Sequence, residues 1–156
     1  MTLITRESID AFYRAKRIAV IGASRDKRKY GRQLFETLLQ KGFDAVAVNP
    51  SADRLGEHPC HHSITEVAQP LDTAIAVVPP AEQERVVREC AAAGIKHLWI
   101  HEHVMKGLSN PKAITLCEEH GIEVISGYCP FMFMPHPGFP HNLHGWVTRI
   151  CGAQPR

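Results

Sequence analysis

Five short apolar runs alternate with amphipathic segments along the chain, and this alternation constrains the fold more than any other feature. The runs are rich in valine and isoleucine and mostly lack polar alternation, which is typical of strands covered on both faces. Apolar residues at helical spacing separate them, and Gly42, Gly94 and Gly121 stand where three of those helices should end. The predicted strands are residues 17–21, 43–48, 72–78, 97–100 and 122–125.

Repeated strand–helix–strand units produce right-handed crossovers and a parallel sheet with helices on both faces. The predicted fold is therefore α/β: a doubly wound, Rossmann-like parallel five-stranded sheet in a three-layer α/β/α arrangement. At 156 residues the chain fits one domain. We expect an N-terminal helix capped near Thr5 within residues 1–16, a core over 17–130 and a C-terminal extension over 131–156.

Composition excludes several classes of function. Eighteen basic and sixteen acidic residues give a net charge of +2, too small to indicate nucleic-acid binding by itself. No apolar run approaches the ~18 residues of a membrane span, and the first ten residues lack a signal-peptide core. Five cysteines without paired spacing indicate free thiols in a reducing compartment. We therefore predict a cytoplasmic protein that binds neither nucleic acid nor membranes.

The loop after the first predicted strand has the composition of a phosphate-binding loop. Gly22 permits a sharp turn, and the helix that follows directs free N–H groups and a partial positive charge toward the end of the strand. A solvated charged loop is the alternative interpretation. The basic residues of this loop are Arg25, Lys27, Arg28, Lys29 and Arg32.

The G-x-G-x-x-G dinucleotide fingerprint is absent, because Ser24 stands at the position of the second glycine. The second strand also ends without the acidic residue that binds a ribose in NAD sites. A ligand with an extra phosphate, such as NADP or coenzyme A, fits the basic loop better. Val78 and Pro79, after the third strand, end that strand and also offer an apolar wall for an adenine or a pantetheine arm.

Seven short motifs in this order resemble those of the stand-alone CoA-binding proteins, over roughly residues 16–131. Their fold is shared with the N-terminal domain of the succinyl-CoA synthetase α subunit. The motifs are G-A-S at 22–24, K-Y-G at 29–31, V-N-P at 48–50, L-G at 55–56 before Pro59, V-P-P at 78–80, A-G-I-K-H-L-W at 93–99 and C-P at 129–130.

The resemblance implies that coenzyme A is held by the first loop and helix start, by the segment after the second strand, and by the ends of the third and fourth strands. Ala52 stands where the synthetase has a lysine, and His103 follows Glu102 where the synthetase has glycine. The implied residues are Gly22, Ala23, Ser24, Lys29, Tyr30, Gly31, Arg32, Asn49, Pro50, Val78, Pro79, Ile100 and Glu102.

The synthetase also needs a downstream domain that carries a phosphorylated histidine, and the chain has no length for one. We therefore expect a module that binds CoA or acyl-CoA without a catalytic step of its own. An NADP-linked reductase that uses the same crevice is one alternative. A zinc or thiol redox sensor is another.

Histidines and cysteines carry the sensor alternative. Cys90 and Cys117 fall on apolar helical stripes and are predicted to be packing residues. Cys129 lies near the expected crevice, where a histidine could lower its pKa. No paired ligand spacing supports a metal site. The remaining candidates are His58, Cys60, His61, His62, His101, His103, His136, His141 and His144.

The C-terminal extension opens with an apolar, proline-punctuated segment over residues 131–139. Exposed, it would form a hydrophobic patch of a size that monomers rarely carry. We expect it to wrap the sheet edge or to pack on a second subunit, which would make a homodimer. A last helix is predicted near residues 143–150. The acyl group and the partner protein are not defined by the sequence.

Overall fold

All five predicted strands are present and pair in parallel. The computed structural model describes residues 4–102 and 109–135. The strands are β1 (Arg17–Ile21), β2 (Asp44–Val48), β3 (Arg54–Leu55), β4 (His58–His61), β5 (Thr73–Ala76), β6 (His97–Ile100) and β7 (Glu123–Ser126). They form one sheet in the order β3-β4-β2-β1-β5-β6-β7.

The prediction of a five-stranded, wholly parallel sheet is wrong, because β3 and β4 add an antiparallel hairpin at one edge. This hairpin turns at Gly56, which has a φ of 62°. Its β4 strand pairs in parallel with β2 through two residue pairs, Ala47 with Cys60 and Val48 with His61. Strands this short carry no apolar run, so they form through tertiary pairing and leave no local pattern in the sequence.

Helices cover both faces of the sheet, which confirms the three-layer α/β/α prediction. They are α1 (Arg6–Phe12), α2 (Tyr30–Gln40), α3 (Pro80–Ala92) and α4 (Pro111–Glu119). Alternate residues of β1 point to opposite layers: Ile18 and Val20 pack with α1 and α2, whereas Ala19 and Ile21 pack with α3 and α4. Two hydrophobic cores result, one on each side. None of the helices within the described ranges has the length and apolarity to cross a membrane.

The N-terminal helix α1 begins at the predicted cap. The Thr5 side chain accepts a hydrogen bond from Ser8 N–H, and the Ser8 side chain accepts one from Thr5 N–H. Phe12 of this helix packs edge-on against Trp99, with 5.3 Å between ring centroids. Both side chains are almost completely buried, so α1 is part of the core.

The described part of the C-terminal extension packs on the same face of the sheet. Phe131, Phe133 and Met134 are buried in the core that includes α1, and the Phe133 ring lies 6.2 Å from that of Trp99. A short 3₁₀ helix over Pro130–Met132 turns the chain onto this surface. The predicted last helix and His136, His141 and His144 lie outside the described residues.

The strand order locates the crevice. The chain passes from β1 to β2 on one side and later returns to β5 on the other side of β1. The two crossovers therefore diverge from the carboxyl ends of β1 and β5, which is the switch point where open α/β sheets bind ligands.

Candidate functional site

A cleft of about 360 Å³ opens at this switch point. Three segments form it: the loop after β1 with the start of α2, the segment after β5 with the start of α3, and the segment after β6. Its volume is at the lower end of the range of roughly 300–1,000 Å³ for small-molecule sites. The lining residues are Gly22, Ser24, Lys29, Tyr30, Gly31, Val77, Val78, Pro79, Pro80, Gln83, His101 and Glu102.

Two glycines permit close backbone contacts, one between the first two segments and one within the first segment. Gly22 has a φ of +92°, and a Cβ on it would lie 2.1 Å from the carbonyl oxygen of Val77. A Cβ on Gly31 would lie 2.3 Å from the carbonyl oxygen of Gly22. A larger residue at either position would force the backbone segments apart. The two glycines therefore set the depth at which α2 begins within the cleft.

The first turn of α2 presents hydrogen-bond donors to the cleft. Lys29 is its N-cap, and its side chain makes no capping hydrogen bond. Backbone N–H groups of a first helical turn have no partner within the helix, and they carry the positive end of the helix dipole. Tyr30 and Gly31 supply such groups beside the exposed Lys29 side chain. Anions are favoured at such a position.

The basic residues of the loop separate into different roles. Arg28 binds Asp26 through two hydrogen bonds of 3.1 Å, and these bonds lower the pKa of the Asp26 carboxyl below its usual value. Arg32 is 5% exposed and donates from Nε to Glu36 at 2.8 Å. Within the stretch of residues 25–32, all of which the structure describes, Lys29 is the basic residue that lines the cleft.

The third segment closes the cleft with aromatic and polar groups. The Tyr30 and His101 rings stack in parallel, with centroids 3.9 Å apart. The Tyr30 hydroxyl lies 3.3 Å from Cys129 Sγ, and burial, reinforced by this thiol, raises the pKa of Tyr30 well above its usual range. Glu102 accepts hydrogen bonds from the Ser109 hydroxyl at 2.6 Å and from its backbone N–H at 3.2 Å. Both contacts hold the carboxylate at the rim.

The structure brings eight of the predicted coenzyme-binding residues into the lining and places five elsewhere. Ala23 and Ile100 are core residues, and Arg32 is paired with Glu36. Asn49 donates from Nδ2 to the Ala23 carbonyl at 2.9 Å, which ties the end of β2 to the loop after β1. Pro50 is exposed outside the cleft. The eight are Gly22, Ser24, Lys29, Tyr30, Gly31, Val78, Pro79 and Glu102.

Four lining residues were absent from the predicted site: Val77, Pro80, Gln83 and His101. Val77 and Pro80 adjoin predicted residues, and His101 follows β6 directly, so position relative to the strand ends could have found them. Gln83 carries no such signal. It lies in a polar stretch of α3, yet it is 2% exposed because its side chain turns inward.

The candidate metal ligands do not converge. Within residues 4–102 and 109–135, no three His, Cys, Asp or Glu side chains form a group that could hold a metal ion. His62 binds Asp53 at 2.7 Å, and Cys60 is buried, which raises the pKa of its thiol. His103 lies outside the described residues.

Cys90 and Cys117 are completely buried between the sheet and the helices, as predicted for packing residues. Burial raises the pKa of both thiols, that of Cys117 to about 12.

Several known proteins resemble this chain in sequence or in fold. The acetate–CoA ligase (ADP-forming) II of Archaeoglobus fulgidus is 37% identical over 123 residues, which are 74% of this chain and 18% of the ligase. The apo dinucleotide forming acetyl-coenzyme A synthetase 1 of Ca. Korarchaeum cryptofilum has a TM-score of 0.66 and 27% identity, over 75% of this chain and 27% of that chain.

A hypothetical protein from Pyrococcus horikoshii OT3 has the same fold, with a TM-score of 0.73 and 23% identity. The match covers 81% of this chain and 87% of that chain. This chain therefore spans less than a third of its two ligase relatives and most of the smaller protein. Residues 16–135 match the CoA binding domain family, which confirms the resemblance found in the sequence. The chain belongs to the CoA binding domain family, and its ligand is coenzyme A.

Proposed function

We propose that coenzyme A occupies the cleft between β1 and β5, with its phosphates at the start of α2, and that the chain carries out no catalytic step of its own. The observation that supports this most is the combination of two glycines, free N–H groups and Lys29 at one end of the cleft. Glycines that let a backbone approach a phosphate, next to a helix N-terminus, are a general solution to anion binding.

The remaining walls suit the other parts of the molecule. Val77, Val78 and Pro79 form an apolar surface, against which an adenine ring or a pantetheine arm can lie. The cleft is smaller than most pockets that enclose a whole cofactor. One part of coenzyme A would therefore be enclosed, while the rest would extend out of the cleft.

The proposal that the chain binds without catalysis is supported by the state of two polar side chains that line the cleft. The carboxylate of Glu102 is occupied by Ser109, and the raised pKa of Tyr30 keeps its hydroxyl protonated. A CoA-binding module acting alone or with another protein is consistent with both observations.

Isothermal titration calorimetry with coenzyme A tests the site. A charged hydrogen bond to phosphate contributes about 1.5–3 kcal/mol, so Lys29→Ala should weaken binding by roughly 10- to 150-fold. Lys27→Ala is the matched control, because Lys27 is an exposed lysine of the same loop that does not line the cleft. Equal affinities of the two variants would overturn the proposed phosphate position.

Ligand choice provides a second readout of the same experiment. Coenzyme A, dephospho-CoA and NADPH should be titrated separately under identical salt conditions. We expect coenzyme A to bind most tightly. If its 3′-phosphate contacts Lys29, the Lys29→Ala substitution should weaken the binding of dephospho-CoA less than it weakens the binding of coenzyme A. Tighter binding of NADPH than of coenzyme A would instead support a reductase.

The acyl group, a homodimer through the C-terminal extension, a partner protein and the cytoplasmic location stay predictions. A sedimentation experiment on the full chain tests the dimer. Mass spectrometry of ligand released from freshly purified protein would identify an acyl group directly.

A further inference from the structure

Gln83 is a buried polar side chain that faces the cleft. It lies in the first turns of α3, is 2% exposed and lines the cleft together with Val78 and Pro80. Glutamine is seldom buried to this extent unless its polar atoms have partners. The partners of its carboxamide therefore decide what this position does.

The carboxamide has a fixed orientation. Its Oε1 accepts a hydrogen bond of 2.8 Å from the backbone N–H of Asn110, the N-cap of α4. A backbone N–H can be paired only with an acceptor, so the oxygen must face Asn110 and the NH₂ group must face away from it. Among the described residues no hydrogen bond is made by Gln83 Nε2. One half of the carboxamide thus holds α4 in place, while the other half is an unused donor.

We infer that Gln83 Nε2 donates a hydrogen bond to a carbonyl oxygen of the bound ligand. This inference rests on the proposed function, since it takes coenzyme A to lie in the cleft. Two carbonyl sources share this chemistry: an amide of the pantetheine arm, and the thioester of an acyl-CoA. Phosphate oxygens are a poorer match, because the lysine and the free helix N–H groups lie at the start of α2. Gln83 is thereby a specificity-determining residue for the arm and not for the nucleotide.

Two substitutions separate the two halves of the carboxamide. Gln83→Glu retains an acceptor for Asn110 N–H but has no donor at neutral pH, and Gln83→Met removes both without adding charge. We expect each variant to weaken acetyl-CoA, which carries both kinds of carbonyl, about five- to tenfold, as for the loss of one neutral hydrogen bond. Adenosine 3′,5′-bisphosphate, which lacks the arm, should bind Gln83→Met as it binds the native protein.

A matched pair of ligands identifies the carbonyl. Acetyl-CoA and S-ethyl-CoA differ in the thioester oxygen. If the native protein prefers acetyl-CoA several-fold and Gln83→Met does not, the thioester carbonyl is the partner. If both ligands lose affinity equally in Gln83→Met, the partner is a pantetheine amide.

Unchanged affinity of Gln83→Met for coenzyme A and acetyl-CoA would overturn the inference. So would an equal loss for adenosine 3′,5′-bisphosphate, because that result indicates general damage to the cleft. Lys29→Ala keeps the two proposals apart: if it weakens acetyl-CoA while Gln83→Met does not, the cleft assignment stands and the role of Gln83 fails. Thermal melts of each variant confirm that it is folded.

Discussion

Replacing Arg32 with alanine should lower the stability of the protein and leave its affinity for coenzyme A intact. The sequence places Arg32 among the phosphate-binding residues, three positions after Lys29. In the structure its guanidinium donates to Glu36 at 2.8 Å, and its side chain is 6% exposed. Its Nη2 atom lies 3.5 Å from the position that a Cβ on Gly56 would occupy, so the guanidinium lies beside the edge hairpin.

The expected loss of stability follows from the hydrogen bond between Arg32 and Glu36. A hydrogen bond between charged groups contributes about 1.5–3 kcal/mol, and the partial exposure of Glu36 favours the lower half of this range. A loss of about 2 kcal/mol corresponds to a fall of roughly 4–8 °C in Tm for a chain of this size. Glu36→Gln keeps a neutral acceptor and should lose about half as much.

Differential scanning calorimetry and coenzyme A titration on the same samples test this reasoning. Removing both partners should destabilise the protein by less than the sum of Arg32→Ala and Glu36→Ala, because each single change breaks the same bond. A loss of coenzyme A affinity greater than tenfold in Arg32→Ala, with an unchanged Tm, would refute the reasoning and restore Arg32 to the phosphate site.

Two further predictions concern the cleft backbone and the buried thiols. Gly31→Ala should lower Tm by several degrees, because its Cβ would lie 2.3 Å from the Gly22 carbonyl oxygen. Gly42 has open space around it, so Gly42→Ala should lower Tm less, through its positive φ alone. Equal shifts in Tm would contradict this prediction. Burial raises the pKa of Cys117 from 9.0 to about 12. The protonated thiol therefore gives its full stabilisation below pH 9, and this contribution is lost as the pH rises toward 12. Between pH 8 and about 10.5, urea denaturation should show a loss of stability that is about 2 kcal/mol smaller in Cys117→Ala than in the native protein, and identical losses would exclude this thiol as a cause.

Local patterns predicted the main elements because the forces behind them act over a few residues. A strand covered on both faces needs a continuous apolar run, and residues 97–100 supply one. Asparagine before proline is a helix-start pattern, and the Asn110 side chain caps α4 by accepting a hydrogen bond from Lys112 N–H. Gly121 has a φ of 67° just beyond that helix, where glycine avoids the strain of a side chain.

The edge hairpin and the direction of individual side chains had no such local signal. Residues 54–61 contain no run of apolar side chains, and β4 exists because β2 offers it an unpaired edge. Lys29 and Arg32 have similar chemistry in the sequence, but Glu36 one helical turn later draws Arg32 away from the cleft. The role of Gln83 depends on Asn110, which is 27 residues distant in the chain.

The order of apolar runs and helical stripes was therefore sufficient to establish a wound α/β sheet, the strand ends at which to look and, through a series of short motifs, the kind of coenzyme. Long-range packing set the strand order, and with it the crevice beside β1 and β5. It also assigned each basic or polar side chain either to the cleft or to an internal partner. The difference arises because helix and strand patterns depend on neighbouring residues, whereas a side chain takes the contact of lowest free energy among groups that only folding brings near it.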